Sequence, residues 1–60
     1  MRFIKLETSD GRVVWIDKET IVYVTESNKK EGCSQIAFEC GAWVEVKGLP
    51  DELMLHKIGT

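Results

Sequence analysis

Two cysteines and one histidine carry the most specific chemistry in this 60-residue chain. Cys33 and Cys40 flank a segment with strand character, which separates their α-carbons by roughly 20 Å, far beyond the ~7 Å reach of a disulfide. His56 could join them on zinc, but the Cys-x6-Cys spacing matches no usual zinc finger and a fourth ligand is not evident. We therefore predict no disulfide and no metal site, and two thiols that behave as small apolar residues in a reducing compartment.

The other groups that could catalyse a reaction lack the partners they would need. Cys40 falls in a predicted turn with no histidine predictable beside it, and His56 falls on a short helix that suits a structural role. The glutamates at 7, 39 and 45 alternate with apolar residues, as solvated strand residues do. No glycine-rich phosphate loop is present in the sequence. We therefore predict a protein that is not an enzyme and that uses no cofactor.

Composition narrows the class of partner. The chain is 43% hydrophobic and 30% charged with a formal net charge of −2, which is typical of a globular protein and argues against a nucleic-acid surface. If nucleic acid were nevertheless bound, Arg12, Lys29 and Lys30 would be the first suspects. No apolar run approaches the ~20 residues of a membrane span. We predict a cytoplasmic protein with no membrane contact.

The elements that must position these residues are short strands separated by turn residues. The pattern predicts one mainly β domain over residues 1–60, an antiparallel meander or partly open barrel of about five strands with a short C-terminal helix. Pro50 followed by two acids is typical of a helix start. In that helix Leu53 and His56 would share one face, and Leu55 and Ile58 another. The predicted strands are 2–8, 12–16, 21–25, 35–39 and 43–47, with a polar loop at 28–32.

Hairpin register decides where the two tryptophans point, because a shift of one residue moves every side chain to the other face. In the first hairpin a two-residue loop leaves both faces mixed. A three-residue loop ending at Gly11 instead pairs Leu6 with Val14, makes one face apolar and puts Trp15 on the other. In the second hairpin a three-residue loop ending at Gly41 likewise sends Trp43 to the polar face.

We therefore predict a binding surface on the side away from the aliphatic core. Tyr23 is included although the third strand is apolar on both faces and does not settle its side. A second copy of the chain, the short helix or a curled sheet, or a bound ligand could each cover this surface. Its predicted members are Phe3, Lys5, Val13, Trp15, Tyr23, Trp43 and Glu45.

The order of these motifs resembles the small flagellar FlbD family, which implies a β-meander with two turn glycines and a terminal helix, and implies no catalytic residues. The chain departs from that family by its longer loop at 28–32 and by both tryptophans. The residues that carry the resemblance include Asp10-Gly11-Arg12, Ile21-Val22-Tyr23-Val24, Gly41, and Leu49-Pro50-Asp51-Glu52.

A narrower resemblance covers the segments 21–27, 35–38 and 47–53, which look like the first half of LytTR-type DNA-binding domains. The second half of that domain, which supplies much of its DNA surface, has no counterpart in this sequence. This resemblance implies a nucleic-acid-binding alternative.

Taken together, the sequence predicts a small bacterial or phage-type binding module that is not an enzyme. We expect it to self-associate through the aromatic face with Trp15 and Trp43, and to act by binding a partner. Two alternatives stay open: a nucleic-acid-binding regulatory module, and a protein that sequesters a small nucleotide-like ligand between subunits.

Overall fold

The structure is a computed structural model that describes residues 2–59. It is mainly β, with five antiparallel strands in two sheets and one short C-terminal helix, as the sequence predicts. A 3-10 turn, Lys18–Thr20, joins the two sheets. The strands are β1 (Phe3–Glu7), β2 (Val13–Asp17), β3 (Ile21–Glu26), β4 (Cys33–Phe38) and β5 (Trp43–Lys47). β1 and β2 form the first sheet, and β3, β4 and β5 form the second in that order.

Both hairpin turns have the three-residue loops that the sequence predicts. Gly11 (φ 94°) and Gly41 (φ 92°) adopt the left-handed conformation that only glycine reaches without steric cost. The amide of Gly41 donates to the carbonyl oxygen of Phe38 at 3.0 Å, and Gly11 makes the equivalent bond to Thr8. The predicted registers are therefore confirmed: Leu6 lies opposite Val14, Ile4 opposite Ile16, and Ile36 opposite Val44.

The second sheet contains one irregularity, a bulge in β3. Ile21 pairs with Phe38 and Tyr23 with Ala37, so Val22 has no partner on β4. The extra residue turns both Val22 and Tyr23 away from the core, while Ile21 and Val24 pack against it. The bulge thus settles which side of the sheet carries Tyr23.

The two sheets meet at one corner. Thr8 forms an isolated antiparallel bridge with Val46, and the amide of Ser9 donates to the carbonyl of Glu45 at 3.0 Å. On the outside of this corner, Nζ of Lys47 lies 3.0 Å from Oε2 of Glu7. The corner fixes the orientation of the sheets, whose inner faces enclose a single core of Leu6, Ile16, Ile36, Val46 and Leu53.

The C-terminal helix closes this core with a winding that the sequence does not reveal. It begins with α1 (Pro50–Leu53) and continues as a π-helical turn, Met54–Ile58, in which Gly59 donates to the carbonyl of Met54. Because five-residue spacing brings Ile58 rather than His56 over Leu53, Ile58 packs against the core. The predicted face of Leu53 with His56 is wrong, since His56 is exposed, and Leu55 and Ile58 do not share a face.

Two further differences from the sequence predictions concern the start of β4 and the turn that follows it. The strand begins at Cys33, two residues before the predicted start, and ends at Phe38. Ser34 is fully buried, and its hydroxyl is satisfied there by a hydrogen bond that it donates to the carbonyl of Gly48 at 2.6 Å. Both thiols are free, and Cys33 is buried as expected. Cys40 is exposed, so the prediction that it packs as an apolar residue is wrong: the three-residue turn projects it into solvent.

Candidate binding surfaces

The predicted surface residues all lie on the sides of the sheets that face away from the core, but they are divided between the two sheets. Trp15 is 60% exposed and Trp43 is 55% exposed. The C-terminal helix packs at the core and covers neither ring, which excludes the helix as their cover. Phe3, Lys5, Val13 and Trp15 lie on the first sheet, and Tyr23, Trp43 and Glu45 lie on the second.

The first surface, which we call the Trp15 face, comprises Phe3, Lys5, Val13 and Trp15. Lys5 is the cross-strand partner of Trp15. On the same face, Phe3 lies two residues before Lys5 in β1, and Val13 lies two residues before Trp15 in β2. All four side chains are exposed. A two-stranded sheet in water is marginally stable alone, so this hairpin depends on the shared core beneath it.

The free edge of β2 continues the Trp15 face. The hairpin is hydrogen-bonded at Thr8 to Arg12 and at Lys18 to Arg2. In an antiparallel ladder the bonded pairs alternate, so Val14 and Ile16 bond to β1. The backbone groups of Val13 and Trp15 therefore point away from β1. Among residues 2–59, no strand pairs with this edge.

The second surface, which we call the Trp43 row, comprises Tyr23, Ala37 and Trp43. Ala37 is the partner of Tyr23 on one side and of Trp43 on the other, so the three residues cross the sheet in one line. Tyr23 is 52% exposed. Because neighbouring strands lie about 4.8 Å apart, the backbones at Tyr23 and Trp43 are separated by roughly 9.6 Å. Only the methyl group of Ala37 lies between the two aromatic side chains.

A polar row of Thr25, Gln35 and Glu45 lies beside the Trp43 row on the same face. Oε2 of Glu45 accepts a hydrogen bond from the hydroxyl of Ser27. This bond, followed by that from Ser9 and by the nearby charges of Lys30 and Lys29, lowers the pKa of Glu45. Glu45 is therefore a fixed, ionised acceptor next to Trp43.

Charged residues separate the Trp15 face from the Trp43 row. The Glu7–Lys47 ion pair occupies the outside of the corner where the sheets meet. Along β5, Glu45 and Lys47 lie between Trp43 and that corner. The predicted single aromatic face is thus two faces with a polar strip between them.

The basic residues of the nucleic-acid alternative come together only loosely. Nζ of Lys30 donates to the carbonyl of Ser9 at 3.2 Å, which holds the 28–31 loop against the first hairpin turn. Arg12 leaves the same turn, but its Nε lies 3.1 Å from Asp10 Oδ2, so its charge is partly compensated. Lys29 and Lys30 follow Ser27, whose hydroxyl accepts hydrogen bonds from the backbone amides of both.

Sequence reasoning missed one apolar groove. It lies between β3 and the C-terminal helix, has a volume of about 400 Å³, and is lined mainly by Val22, Tyr23, Met54 and Ile58. The third strand is apolar on both faces, and this was the only sequence signal for the groove. The bulge that exposes Val22 cannot be recognised in the alternation of apolar and polar residues. Within residues 2–59, no group of three or more His, Cys, Asp or Glu side chains could hold a metal ion.

Comparisons with known proteins give no further assignment. No family model, no curated protein and no solved structure was found to match the chain. The resemblances to the FlbD family and to LytTR-type domains therefore stay predictions. Across the described residues, no helix is long and apolar enough to cross a membrane.

Proposed function

We propose that this protein is a non-enzymatic binding module that self-associates through the edge of β2 and the Trp15 face. The observation that carries the proposal is an unpaired strand edge centred on an exposed tryptophan. The proposal includes a cytoplasmic location, which the free thiols of Cys33 and Cys40 support.

Between Arg12 and Asp17, the edge of β2 lacks the features that usually prevent strands from pairing. Protected edges carry lysine, proline, a bulge or a covering element. The segment Val13–Ile16 contains no charge and no proline, and its pairing with β1 has no bulge. An apolar edge of this kind tends to pair with another strand or to aggregate. A specific partner strand would pair the edge and prevent aggregation.

A second copy of the chain fits this edge by symmetry. Trp15 is the central residue of β2, and its backbone N–H and C=O point outward. An antiparallel pair of β2 strands, related by a two-fold axis that passes midway between the two copies of Trp15, would let each Trp15 exchange both backbone bonds with its copy. The two indole rings would then become cross-strand neighbours, an arrangement that stabilises sheets.

The exposed area sets the expected strength of this dimer. At 60% exposure Trp15 offers roughly 90–150 Å² of its surface. A standard interface buries about 800 Å² per partner, several times more. We therefore expect a weak dimer that forms with rising concentration and not a permanent one.

Sedimentation of three variants tests the proposal. Val13→Pro removes an outward N–H and no hydrogen bond within the hairpin, so it should give a monomer that retains the wild-type circular dichroism spectrum. Trp15→Ala should weaken the dimer, and Trp43→Ala is the matched control on the other sheet. Wild-type protein that stays monomeric at high concentration, or a dimer that only Trp43→Ala disrupts, would refute the proposal.

A further inference from the structure

The Trp43 row has the dimensions of a slot for one planar group. The backbones at Tyr23 and Trp43 lie roughly 9.6 Å apart, on either side of Ala37. A planar group between two aromatic rings needs about 7 Å, because each of its two contacts takes about 3.5 Å. One flat group therefore fits between the rings, above the methyl group of Ala37.

Two acidic residues follow the slot residues along the chain. Glu45 follows Trp43 by two residues on the same face, and hydrogen bonds from serine hydroxyls keep it ionised. A carboxylate has about four acceptor positions, so Glu45 retains some after the bonds from Ser27 and Ser9. Glu39, which follows Ala37 by two residues, is also exposed. Lys29 and Lys30, whose amides bond to Ser27, also act on Glu45 through their charges.

A guanidinium group matches both the shape and the charge. It is planar, stacks on aromatic rings, and presents paired N–H donors to a carboxylate. An ammonium group has the charge but not the plane, and a nucleobase has the plane but brings an anionic phosphate toward Glu45. The net charge of −2 also favours approach of a basic partner.

We propose that the slot between Tyr23 and Trp43 binds an arginine side chain of a basic segment of a partner protein, with Glu45 accepting hydrogen bonds from its guanidinium. An arginine site would define the class of partner that the binding module takes, and in that respect it rests on the proposed function. It lies on the other sheet from the edge of β2, so it does not require the dimer.

A pair of matched peptides tests this site. A capped peptide with one arginine among glycines is titrated into Trp15→Phe protein, and Trp43 fluorescence is followed; the control peptide carries citrulline, which keeps the plane and loses the charge. We expect the citrulline peptide to bind about tenfold more weakly. Equal binding of the two peptides would overturn the proposal.

Three variants localise the binding, followed by peptide chemical shifts. Glu45→Gln should weaken arginine binding about tenfold, and Ala37→Ile should abolish it by filling the slot while leaving both rings in place. Trp15→Ala is the matched control and should leave affinity unchanged. Arginine binding that survives Ala37→Ile in a folded variant would overturn the assignment.

A nucleotide is the competing ligand. Adenosine monophosphate that binds more tightly to Glu45→Gln than to wild type, and less tightly to Lys29→Gln/Lys30→Gln, would replace arginine as the ligand class. Our proposal predicts the opposite: the lysine variant binds the arginine peptide at least as tightly as wild type. Sedimentation of the same samples separates this result from failure of the β2 dimer.

Discussion

Two edge strands of this small protein, β2 in the first sheet and β3 in the second, carry similar residues and yet offer different surfaces. Both contain an exposed aromatic residue between β-branched aliphatic neighbours, Val14 and Ile16 in β2 and Val22 and Val24 in β3. β3 is interrupted by the bulge at Val22 and has the C-terminal helix against it, whereas β2 is regular and uncovered. A regular open edge suits strand pairing, and the three-stranded sheet next to the bulge suits a slot between rings.

The largest effect should come from the core that both surfaces share. Leu53→Ala removes a buried side chain in contact with both sheets, so we expect a loss of about 2–5 kcal/mol in the free energy of unfolding. Trp15→Phe and Trp43→Phe backgrounds let each sheet be followed separately by fluorescence during urea denaturation.

The two sheets should lose their structure in one transition. Leu55→Ala, at a residue that is 68% exposed on the same helix, is the matched control and should change stability by less than about 0.5 kcal/mol. Separate midpoints for Trp15 and Trp43 would mean that the sheets fold independently, against the single core described above.

A smaller effect is expected from the turn glycines. An alanine at Gly41 or Gly11 meets no atom within 4 Å, so only its positive φ is unfavourable, at about 1–2 kcal/mol. Each substitution should lower the midpoint of urea denaturation by a similar amount. A neutral result at Gly41 alone would indicate that the second hairpin uses another turn and that Trp43 faces elsewhere.

The smallest effect concerns pH. A hydrogen bond from Arg2 lowers the pKa of Asp17 and closes the open end of the first hairpin. A carboxylate with a lowered pKa in the folded state contributes stability above its unfolded pKa, and this contribution is lost as pH falls through the folded value. Asp17→Asn should therefore reduce the loss of stability in acid. An unchanged acid dependence of the urea midpoint would contradict the ion pair.

The sequence predicts much of the fold because local chemistry determines it. Gly11 and Gly41 each end a three-residue loop, and alternation then assigns the faces of four strands. The face of Tyr23 could not be predicted, since β3 is apolar on both sides and only a bulge decides it. The position of Ile58 depends on a π-helical turn that leaves no periodic signal.

The candidate site was only partly predictable for a different reason. Pairing within each hairpin shows that Trp15 and Trp43 leave the core, but it does not relate one hairpin to the other. That relation comes from tertiary contacts at the corner of Thr8 and Val46. The sequence therefore identifies the residues of both surfaces, but it cannot show that they form two separate faces on two sheets. The line of Tyr23, Ala37 and Trp43 likewise appears only when three strands are assembled.

Amide hydrogen exchange at increasing protein concentration tests the division of roles most directly. We predict that the amides of Val13 and Trp15 exchange freely in dilute solution and become protected as concentration rises, while exchange in β3–β5 stays constant. Protection that is independent of concentration at these two amides, or that grows only around Trp43, would contradict an assembly edge at β2.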